Sequence, residues 1–381
     1  MKISITGSTG SIGRQTLEVI EAHPERFKVV GLSAYSDWKT LLSQIEKYRP
    51  LKACIINEDA FYKIKENLPY DCHTEIITGE NSVCEIVSMP ETELAVISTV
   101  GISGLFPVIS ALESGKEIAL ATKESLVAGG NLVMSLAKEK GKKIRPIDSE
   151  HSAISQCIKG EENFVSKLIL TSSGGPFRKY EDLSGITIDQ VLAHPTWKMG
   201  RKITVDCATL MNKGFEVIEA KFLFGMELEH VEVLIHPQSI IHSLVEFHDG
   251  SMIAQLSNPD MRIPISYALS LPERLKNSWT ITDLAKIGTL TFENPNKKLF
   301  PCLNLAYEAL RLGKTFPTAI NGANEEAVNA FLSGKIAFNK IPMIIEMVLE
   351  VHEGLDDMQI DNIIKADSDS RRKAIDIINK L

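Results

Sequence analysis

The sequence lacks the features that mark membrane, secreted or nucleic-acid-binding proteins. It has no run of about eighteen apolar residues, the length that a helix needs to span a bilayer. No basic run or tail offsets its net charge of −8, which argues against nucleic acid as the main partner. Its strand-like start, Lys2–Thr6, leaves no room for a signal peptide. We therefore expect a cytoplasmic protein with neither a membrane nor a nucleic acid as its partner.

The cysteines also lack the paired spacing of a zinc site or of a disulfide framework. They are scattered along the chain, as Cys54, Cys72, Cys84, Cys157, Cys207 and Cys302. This pattern is typical of a reducing compartment. With 44% hydrophobic and 24% charged residues, the composition is that of an ordinary globular protein.

The length of 381 residues exceeds what one hydrophobic core usually supports, so two or three domains are expected. Strand-like and helix-like segments alternate through the first part of the chain, which predicts a parallel sheet. We predict an α/β fold with an N-terminal Rossmann-like dinucleotide-binding domain, a central α/β catalytic domain with a lid loop, and a C-terminal helical bundle. The predicted segments are a dinucleotide-binding domain at 1–147, a catalytic and dimerisation domain at 148–272, a linker at 273–298 and a helical domain at 299–381.

A glycine-rich turn follows the first predicted strand directly. Gly7, Gly10 and Gly13 form a G-x-x-G-x-x-G pattern, and the next residues, 14–20, have helical spacing. Glycines let the backbone approach a pyrophosphate, and a helix N-terminus offers N–H groups and a partial positive charge. The usual pattern is G-x-G-x-x-G, so a plain strand–turn–helix connection is the alternative. The position directly after a strand favours a dinucleotide site.

The end of the second predicted strand is where folds of this kind choose between NAD and NADP. Asp37 favours NAD, because an acid there accepts hydrogen bonds from the ribose hydroxyls. Ser36, Lys39 and Arg14 favour NADP, because polar and basic groups accommodate its extra phosphate. These residues by themselves leave the choice open.

Two carboxylates stand close together in the segment Ile147–His151. If Asp148 and Glu150 end a strand, they point to one side, because strand residues two apart share a face. Such carboxylates repel each other unless a cation or a proton lies between them. A polar loop with two solvated acids is the alternative. A third carboxylate, Glu216 in the helical segment that also carries Asn212, would complete an oxygen-rich site.

Two further segments place polar groups where a ligand is expected. Lys123 follows a predicted strand, and open α/β sheets bind ligands beyond their strand ends. A lysine in a helix's first turn is otherwise slightly unfavourable, because the helix dipole repels it. The long polar stretch that contains His194 and Trp197 is typical of a mobile lid over a polar ligand. Packing of Trp197 in a core is the alternative.

Taken together, the motifs resemble one family, 1-deoxy-D-xylulose 5-phosphate reductoisomerase. They occur in the family's order, and an ordered set of this kind is specific. The matching segments are Gly7–Gly13, Lys123–Val127, Asp148–His151, Ser173–Phe177, His194–Trp197, Met211–Glu216 and Ile235–Ser239.

The resemblance implies an enzyme of the non-mevalonate route to isoprenoids that uses NADPH and Mg²⁺ or Mn²⁺. It would rearrange a sugar phosphate, 1-deoxy-D-xylulose 5-phosphate, to an aldehyde and reduce the aldehyde to 2-C-methyl-D-erythritol 4-phosphate. It would also be a homodimer. The residues agree with the implied metal, because carboxylate oxygens suit Mg²⁺ or Mn²⁺ better than zinc.

The resemblance also assigns roles to individual residues by position. The implied metal ligands are Asp148, Glu150 and Glu216, and these three together with Lys123 are the implied catalytic residues. The implied substrate-binding residues are Lys123, Ser149, Glu150, Ser173, His194, Trp197, Cys207, Asn212, Lys213 and Glu216. The implied cofactor-binding residues are Thr9, Gly10, Ser11, Ile12, Ser36, Asp37, Thr122, Glu124 and Gly200.

The sequence departs from the family's usual pattern at two places. Cys207 stands where a phosphate-binding serine is usual, and a thiol is a weaker hydrogen-bond donor than a hydroxyl. Tyr35–Asp37 stands where a small-basic-polar triplet is common.

Two other functions compete with the reductoisomerase. An NAD(P)-dependent dehydrogenase of a semialdehyde or hydroxy acid, acting without rearrangement, explains the N-terminal half but not the three carboxylates. A non-catalytic nucleotide-sensing protein would bind the cofactor without turnover, and the intact acids and the lid argue against it.

Overall fold

The computed structural model describes residues 1–193, 197, 199–277 and 279–381. The chain forms two compact units, and each is assembled from separate segments. The first unit contains Met1–Ser125, Val133–Ser152 and Asp260–Trp279. The second unit contains Leu126–Leu132, Ala153–Pro259 and Thr280–Leu381. The four segments inferred from the sequence stay a prediction.

Strands and helices alternate along the first part of the chain, as predicted. The strands are β1 (Lys2–Ile5), β2 (Lys28–Ala34), β3 (Lys52–Ile55), β4 (Glu75–Ile77), β5 (Leu94–Ile97), β6 (Glu117–Leu120), β7 (Ile144–Pro146), β8 (Val165–Ser172), β9 (Val231–Ile235), β10 (Ile241–Phe247) and β11 (Met252–Leu256). The helices are α1 (Ser11–Ala22), α2 (Trp38–Tyr48), α3 (Glu58–Asn67), α4 (Ser82–Ser88), α5 (Leu105–Glu113), α6 (Lys123–Glu139), α7 (Ser149–Cys157), α8 (Ile188–Leu192), α9 (Arg201–Thr209), α10 (Met211–Phe224), α11 (Arg262–Ser270), α12 (Leu284–Ile287), α13 (Cys302–Leu312), α14 (Phe316–Leu332), α15 (Ile341–Glu350) and α16 (Ile360–Ile378).

The first unit is built on a parallel sheet with the strand order β4-β3-β2-β1-β5-β6-β7. The chain adds strands outward from β1 on one side, and then returns to place β5 on the other side of β1. Open sheets of this kind bind ligands beyond the carboxyl ends of the strands, at the point where the order reverses. In this unit that point lies between the ends of β1 and β5.

Apolar side chains explain why these segments form central strands. Ile3, Ile5, Leu32 and Val96 are completely buried. Such near-continuous apolar runs are typical of parallel strands that are covered on both faces. Helix α1 contributes its apolar side to the same core. The predicted Rossmann-like domain is confirmed.

The second unit contains a mixed sheet with the strand order β11-β10-β8-β9. Strand β10 runs antiparallel to both β8 and β11, whereas β8 and β9 are parallel. Gly250 has φ 81 in the turn between β10 and β11, a conformation that glycine adopts without strain. Strand β11 lies at the edge of the sheet and exposes Met252 and Ile253.

The last part of the chain is helical, as predicted. Helix α14 packs against α13, α15 and α16 and buries Ile320, Ala323 and Ala327 completely. Gly313, with φ 67, ends α13, and a left-handed glycine at that position is a common helix stop. Among the residues that the structure describes, no helix is long and apolar enough to cross a membrane.

Candidate active site

The glycine-rich turn lies at the carboxyl end of β1, where the strand order reverses. Gly7 has φ 64, and a Cβ there would lie 2.7 Å from the carbonyl oxygen of Ser98, the residue after β5. A Cβ on Gly13 would lie 2.4 Å from the Gly7 carbonyl oxygen. Only glycine therefore allows strand, turn and helix to approach this closely. Gly10 has no side chain to cap α1, which leaves the first-turn N–H groups for an anion.

The end of β2 carries Ser36 and Asp37, and both are exposed. Asp37 caps α2, because its Oδ1 accepts a hydrogen bond from the Thr40 N–H at 3.2 Å. Its Oδ2 lies 3.4 Å from Arg14 Nη2. Arg14 also donates from Nε to the Thr9 carbonyl at 2.7 Å. Asp37 is thus engaged by a helix cap and an ion pair, and Arg14 bridges the glycine turn and the end of β2.

The end of β6 contributes Thr122 and Glu124 to the same edge of the sheet. The Thr122 hydroxyl donates to the Thr99 carbonyl at 2.5 Å, and Glu124 is buried in the first turn of α6. A Cβ on Gly104 would lie 2.8 Å from the Thr122 methyl group, so the loop after β5 packs on the start of α6. The predicted cofactor residues at this edge are Thr9, Gly10, Ser11, Ile12, Ser36, Asp37, Thr122 and Glu124.

The acidic segment, residues 147–151, leads into a helix and does not end a strand. Strand β7 ends at Pro146 and α7 begins at Ser149, and the Ser152 N–H donates to the Asp148 carbonyl at 2.8 Å. The argument from strand alternation for Asp148 and Glu150 was therefore wrong. Asp148 stands just before the helix and Glu150 lies in its first turn, where the dipole favours acids. The Ser149 hydroxyl donates to the Glu150 carboxylate.

Lys123 and Asp148 form an ion pair in the first unit. Lys123 Nζ contacts Asp148 Oδ2, and the two side chains are only 11% and 10% exposed. Lys123 follows β6 and Asp148 follows β7, and these strands are neighbours in the parallel sheet. The shared carboxyl edge therefore brings the two residues together. The charges lie where little water screens them, which strengthens their interaction with each other and with any ligand.

In the second unit, Asn212, Lys213 and Glu216 share one face of α10. Asn212 Nδ2 donates to Glu216 Oε1 at 2.5 Å, and Lys213 Nζ donates to Glu216 Oε2. The side chains of Lys213 and Glu216 are 3% and 2% exposed. Spacings of three and four residues place such side chains side by side. Each carboxylate oxygen has two lone pairs, so Glu216 retains capacity for a further ligand.

Ser173 and Cys207 lie in one region of the second unit. Ser173 follows β8, and its hydroxyl accepts a hydrogen bond from the Gly175 N–H at 3.3 Å. Gly175 has φ 68, and a Cβ there would lie 2.9 Å from the Cys207 carbonyl oxygen. The loop after β8 therefore packs directly on α9, the helix that carries Cys207.

The predicted lid is only partly covered by the described residues. His194 lies outside them. The Trp197 ring has its centre 6.1 Å from that of the His242 imidazole. Gly200 stands just before α9, and its carbonyl accepts a hydrogen bond from the Thr204 hydroxyl at 2.8 Å. Whether Trp197 covers a ligand stays a prediction.

Sequence reasoning missed one buried polar pair in the second unit. Asp206 directly precedes Cys207 in α9 and accepts a hydrogen bond from Asn324 Nδ2 at 2.8 Å. The available signal was the four-residue spacing of Lys202 and Asp206, which form an ion pair at 2.9 Å. Asn324 lies in the C-terminal helices, to which the sequence analysis assigned no chemistry.

Comparison with known proteins identifies the family. A family model described as 1-deoxy-D-xylulose 5-phosphate reductoisomerase matches residues 3–130. Models of its C-terminal domain match residues 144–224 and 256–373. The reductoisomerase of Pelotomaculum thermopropionicum is 49% identical over 382 residues, which are 100% of this chain and 99% of that relative. The reductoisomerase of Caldanaerobacter subterraneus subsp. tengcongensis is 50% identical over 376 residues, 98% of each chain.

Solved structures agree with the sequence relatives. The reductoisomerase from Zymomonas mobilis, in complex with NADPH, superposes with a TM-score of 0.94 at 36% identity and covers 100% of this chain and 99% of its own. A DOX-P reductoisomerase in complex with NADPH, fosmidomycin and magnesium superposes with a TM-score of 0.93 at 38% identity. The match covers 100% of this chain and 98% of that one. Both fold and sequence therefore match over the full length. The chain belongs to the 1-deoxy-D-xylulose 5-phosphate reductoisomerase family.

Proposed function

We propose that this chain rearranges 1-deoxy-D-xylulose 5-phosphate and reduces the product with NADPH to 2-C-methyl-D-erythritol 4-phosphate, in the non-mevalonate route to isoprenoids. The proposal is supported by the family match and by three carboxylates that each contact a lysine or a hydroxyl donor: Asp148 and Glu150 in the first unit, and Glu216 in the second. A dehydrogenase that acts without rearrangement leaves these three carboxylates without a role. That alternative is not favoured.

The first unit fits NADPH, which two solved relatives contain. The close packing of strand, turn and helix at Gly7 and Gly13 fixes the turn, and Gly10 has no side chain to keep a pyrophosphate from the backbone of Thr9–Ile12, which would lie along it. Arg14 in α1 and Ser36, which follows β2, would meet the 2′-phosphate. Asp37 does not oppose this, because the Thr40 N–H and Arg14 already engage its two oxygens.

The carboxylates fit a hard divalent cation. Oxygen ligands suit Mg²⁺ or Mn²⁺ better than zinc. A solved relative at 38% identity contains magnesium. We assign Asp148 and Glu150 in the first unit and Glu216 in the second unit as the metal ligands.

The chain's own residues would bind and orient the substrate. Lys213, Asn212 and Ser173 would hold the phosphate and hydroxyl oxygens, which fixes the carbon skeleton in a reactive conformation. Lys123 would donate to a substrate oxygen next to Asp148. When bound, the metal would supply Lewis-acid stabilisation of negative charge on the substrate oxygens, and NADPH would supply the hydride. The stretch that carries Trp197 would exclude water from the aldehyde before its reduction.

The direct test is NADPH oxidation with 1-deoxy-D-xylulose 5-phosphate. We expect oxidation with Mg²⁺ or Mn²⁺ and its loss when EDTA removes the metal, because the carboxylates alone cannot polarise the carbonyl. We also expect faster turnover with NADPH than with NADH, because Arg14 and Ser36 favour the 2′-phosphate. A protein that binds NADPH but shows no oxidation would contradict the reductoisomerase function. An unchanged rate in EDTA would contradict the metal assignment alone.

We further propose that the chain is a homodimer that uses the edge strand β11. Met252 and Ile253 are 49% and 42% exposed. As neighbours in a strand they point to opposite faces, so the edge strand is exposed on both faces. An exposed apolar edge strand tends to pair with another chain. Light scattering after size exclusion should give twice the monomer mass, and Ile253→Arg should shift it toward the monomer. A monomer mass for the wild-type protein would contradict the homodimer. A dimer mass for Ile253→Arg would contradict only the use of β11 as the dimer surface.

A cytoplasmic location is the last part of the proposal. Burial raises the pKa of the Cys54 and Cys157 thiols to about 11, so they stay protonated at neutral pH. The described residues contain no disulfide among the six cysteines. A chain of this kind suits a reducing compartment. Recovery of the activity in the membrane or extracellular fraction of its source cells would contradict this location.

A further inference from the structure

Asp206 is a buried carboxylate that the proposed chemistry does not use. Its side chain is 3% exposed, inside α9 and one residue before Cys207. A buried carboxylate is costly unless donors surround it. Its partners therefore indicate what it does.

The partners of Asp206 come from two helices of the second unit. Oδ1 accepts a hydrogen bond at 2.8 Å from Nδ2 of Asn324, a completely buried residue of α14. Oδ2 pairs with Lys202 Nζ at 2.9 Å, one turn earlier in α9. Burial, and to a lesser extent the Asp206 charge, raise the pKa of the Cys302 thiol at the start of α13 to about 12, against the opposing effect of a hydrogen bond with Thr209. Asp206 thus connects α9 with the C-terminal helices.

The geometry of α9 affects the proposed phosphate-binding groups on both sides of it. The helix carries Cys207, and the loop with Ser173 packs on its backbone. It continues into α10 through Leu210, a buried residue with φ 61. Residues other than glycine rarely adopt this left-handed backbone conformation, so the turn between the two helices has few alternative conformations. A shift of α9 would therefore move Asn212 and Lys213 at the start of α10.

We propose that Asp206 is a positioning residue for the substrate phosphate, acting through its buried hydrogen bond with Asn324. This bond fixes α9 against α14 and so sets the positions of Cys207 and Lys213. The inference rests on the proposed function. It gives the C-terminal helices a role in substrate affinity.

The test compares Asp206→Asn, Asn324→Asp and the double variant that exchanges the two side chains. Asn324→Asp places two carboxylates against each other, so we expect it to raise KM for the sugar phosphate about tenfold or more, since small displacements of binding groups have large effects. The value of kcat should fall less than KM rises, and the Kd of NADPH should not change. Asp206→Asn alone should also raise KM for the sugar phosphate, but by a smaller factor, because two amides can still form one hydrogen bond. The exchanged pair restores the donor and the acceptor of the bond between the helices. It does not restore the ion pair with Lys202, which lies within α9, so it should recover most of the wild-type KM.

Inorganic phosphate, tested as a competitive inhibitor against the sugar phosphate, gives a second readout, because this ion can occupy the phosphate position without the rest of the sugar. Its Ki should rise in the single variants and recover in the exchanged pair. The matched control is Tyr307→Phe, which removes another buried hydrogen bond of this unit, from the Tyr307 hydroxyl to the Val231 carbonyl at 2.8 Å. We expect this control to lower Tm and to leave KM and the phosphate Ki unchanged.

The outcomes separate this inference from the proposed function. No turnover by the wild-type protein overturns the proposed function, and the phosphate Ki then has no meaning. An active wild-type protein whose variants lose Tm but keep KM and the phosphate Ki overturns the inference, because Asp206 would then be structural only. A tenfold rise in KM that the exchanged pair does not recover also overturns it, because the Asp206–Asn324 bond would not be the cause.

Discussion

Glu216→Gln is expected to lower kcat/KM by about 10³-fold or more, equivalent to about 4 kcal/mol of transition-state stabilisation. The amide keeps the shape of the side chain but offers only one oxygen and carries no charge, so it binds Mg²⁺ or Mn²⁺ poorly. The Kd of NADPH should stay unchanged, because the proposed cofactor residues lie in the first unit, except Gly200. Steady-state kinetics and NADPH fluorescence titration measure the two effects separately.

The same substitution should also lower stability, for a reason unrelated to catalysis. Lys213 is 3% exposed and donates to Glu216, so the glutamine removes a negative charge that stabilises a buried ammonium. Breaking a buried ion pair in this way costs about 3–5 kcal/mol. The double variant Lys213→Met and Glu216→Gln should recover much of the Tm without recovering turnover.

Glu325 offers a matched control for Glu216 in the same unit. It accepts a hydrogen bond at 3.2 Å from Asn321, four residues earlier, and pairs with Arg371 at 2.7 Å. Glu325→Gln removes one of three carboxylates that pair with Arg371, so it should lower Tm; it should leave kcat/KM within about twofold, since Glu325 is not a proposed metal or substrate ligand. Equal losses of activity in the two variants would contradict the metal role and assign Glu216 to stability. Full activity of Glu216→Gln would contradict any role of this carboxylate in the reaction.

Much of the first unit could be predicted because its signals are local. Apolar segments such as Leu94–Ile97 predict buried strands, and the glycine turn after Lys2–Ile5 predicts where helix α1 begins. The rule that parallel strands expose their carboxyl ends at one edge then brings Lys123 close to Asp148. These steps need only the order of elements along the chain.

The acidic segment shows where local reasoning fails. A strand of three residues, Ile144–Pro146, followed by acids cannot be distinguished by pattern from a longer strand. The helix α7 begins there because Asp148 supplies a carbonyl and an acidic side chain at its start. Asp148 and Glu150 therefore stay predicted metal ligands, although the strand alternation from which we first inferred them was wrong.

The pair Asp206 and Asn324 could not be found in this way. The two residues are 118 positions apart, and each is an ordinary polar residue in an amphipathic helix. Only the packing of α9 against α14 makes them partners. Burial of a charge, which decides its importance, depends on tertiary structure and has no local signature.

The second large effect is expected from Lys123→Met, which should lower kcat/KM about 10³-fold or more if the ammonium contacts a substrate oxygen in the transition state. Methionine has a similar length and suits a site that is 11% exposed, so the fold should be retained, although Tm should fall because Asp148 loses a positive charge that it contacts. The informative measurement is Mn²⁺ binding to the variant without substrate. Lys123 contacts Asp148, a proposed metal ligand, and its positive charge opposes a cation there.

Mn²⁺ should therefore bind Lys123→Met as tightly as the wild-type protein or more tightly, while turnover is lost. Retained Mn²⁺ affinity with lost turnover would indicate that Lys123 contacts the substrate. If Lys123 instead oriented Asp148 as a metal ligand, its loss would lower Mn²⁺ affinity and turnover together. Lys52→Met is the matched control in the same unit, since Lys52 pairs with Glu75 and Glu85 far along the sheet from β6 and β7. It should change neither Mn²⁺ affinity nor kcat/KM. Weaker Mn²⁺ binding in Lys123→Met, in proportion to its lost activity, would assign Lys123 to the orientation of Asp148 and remove it from the substrate site.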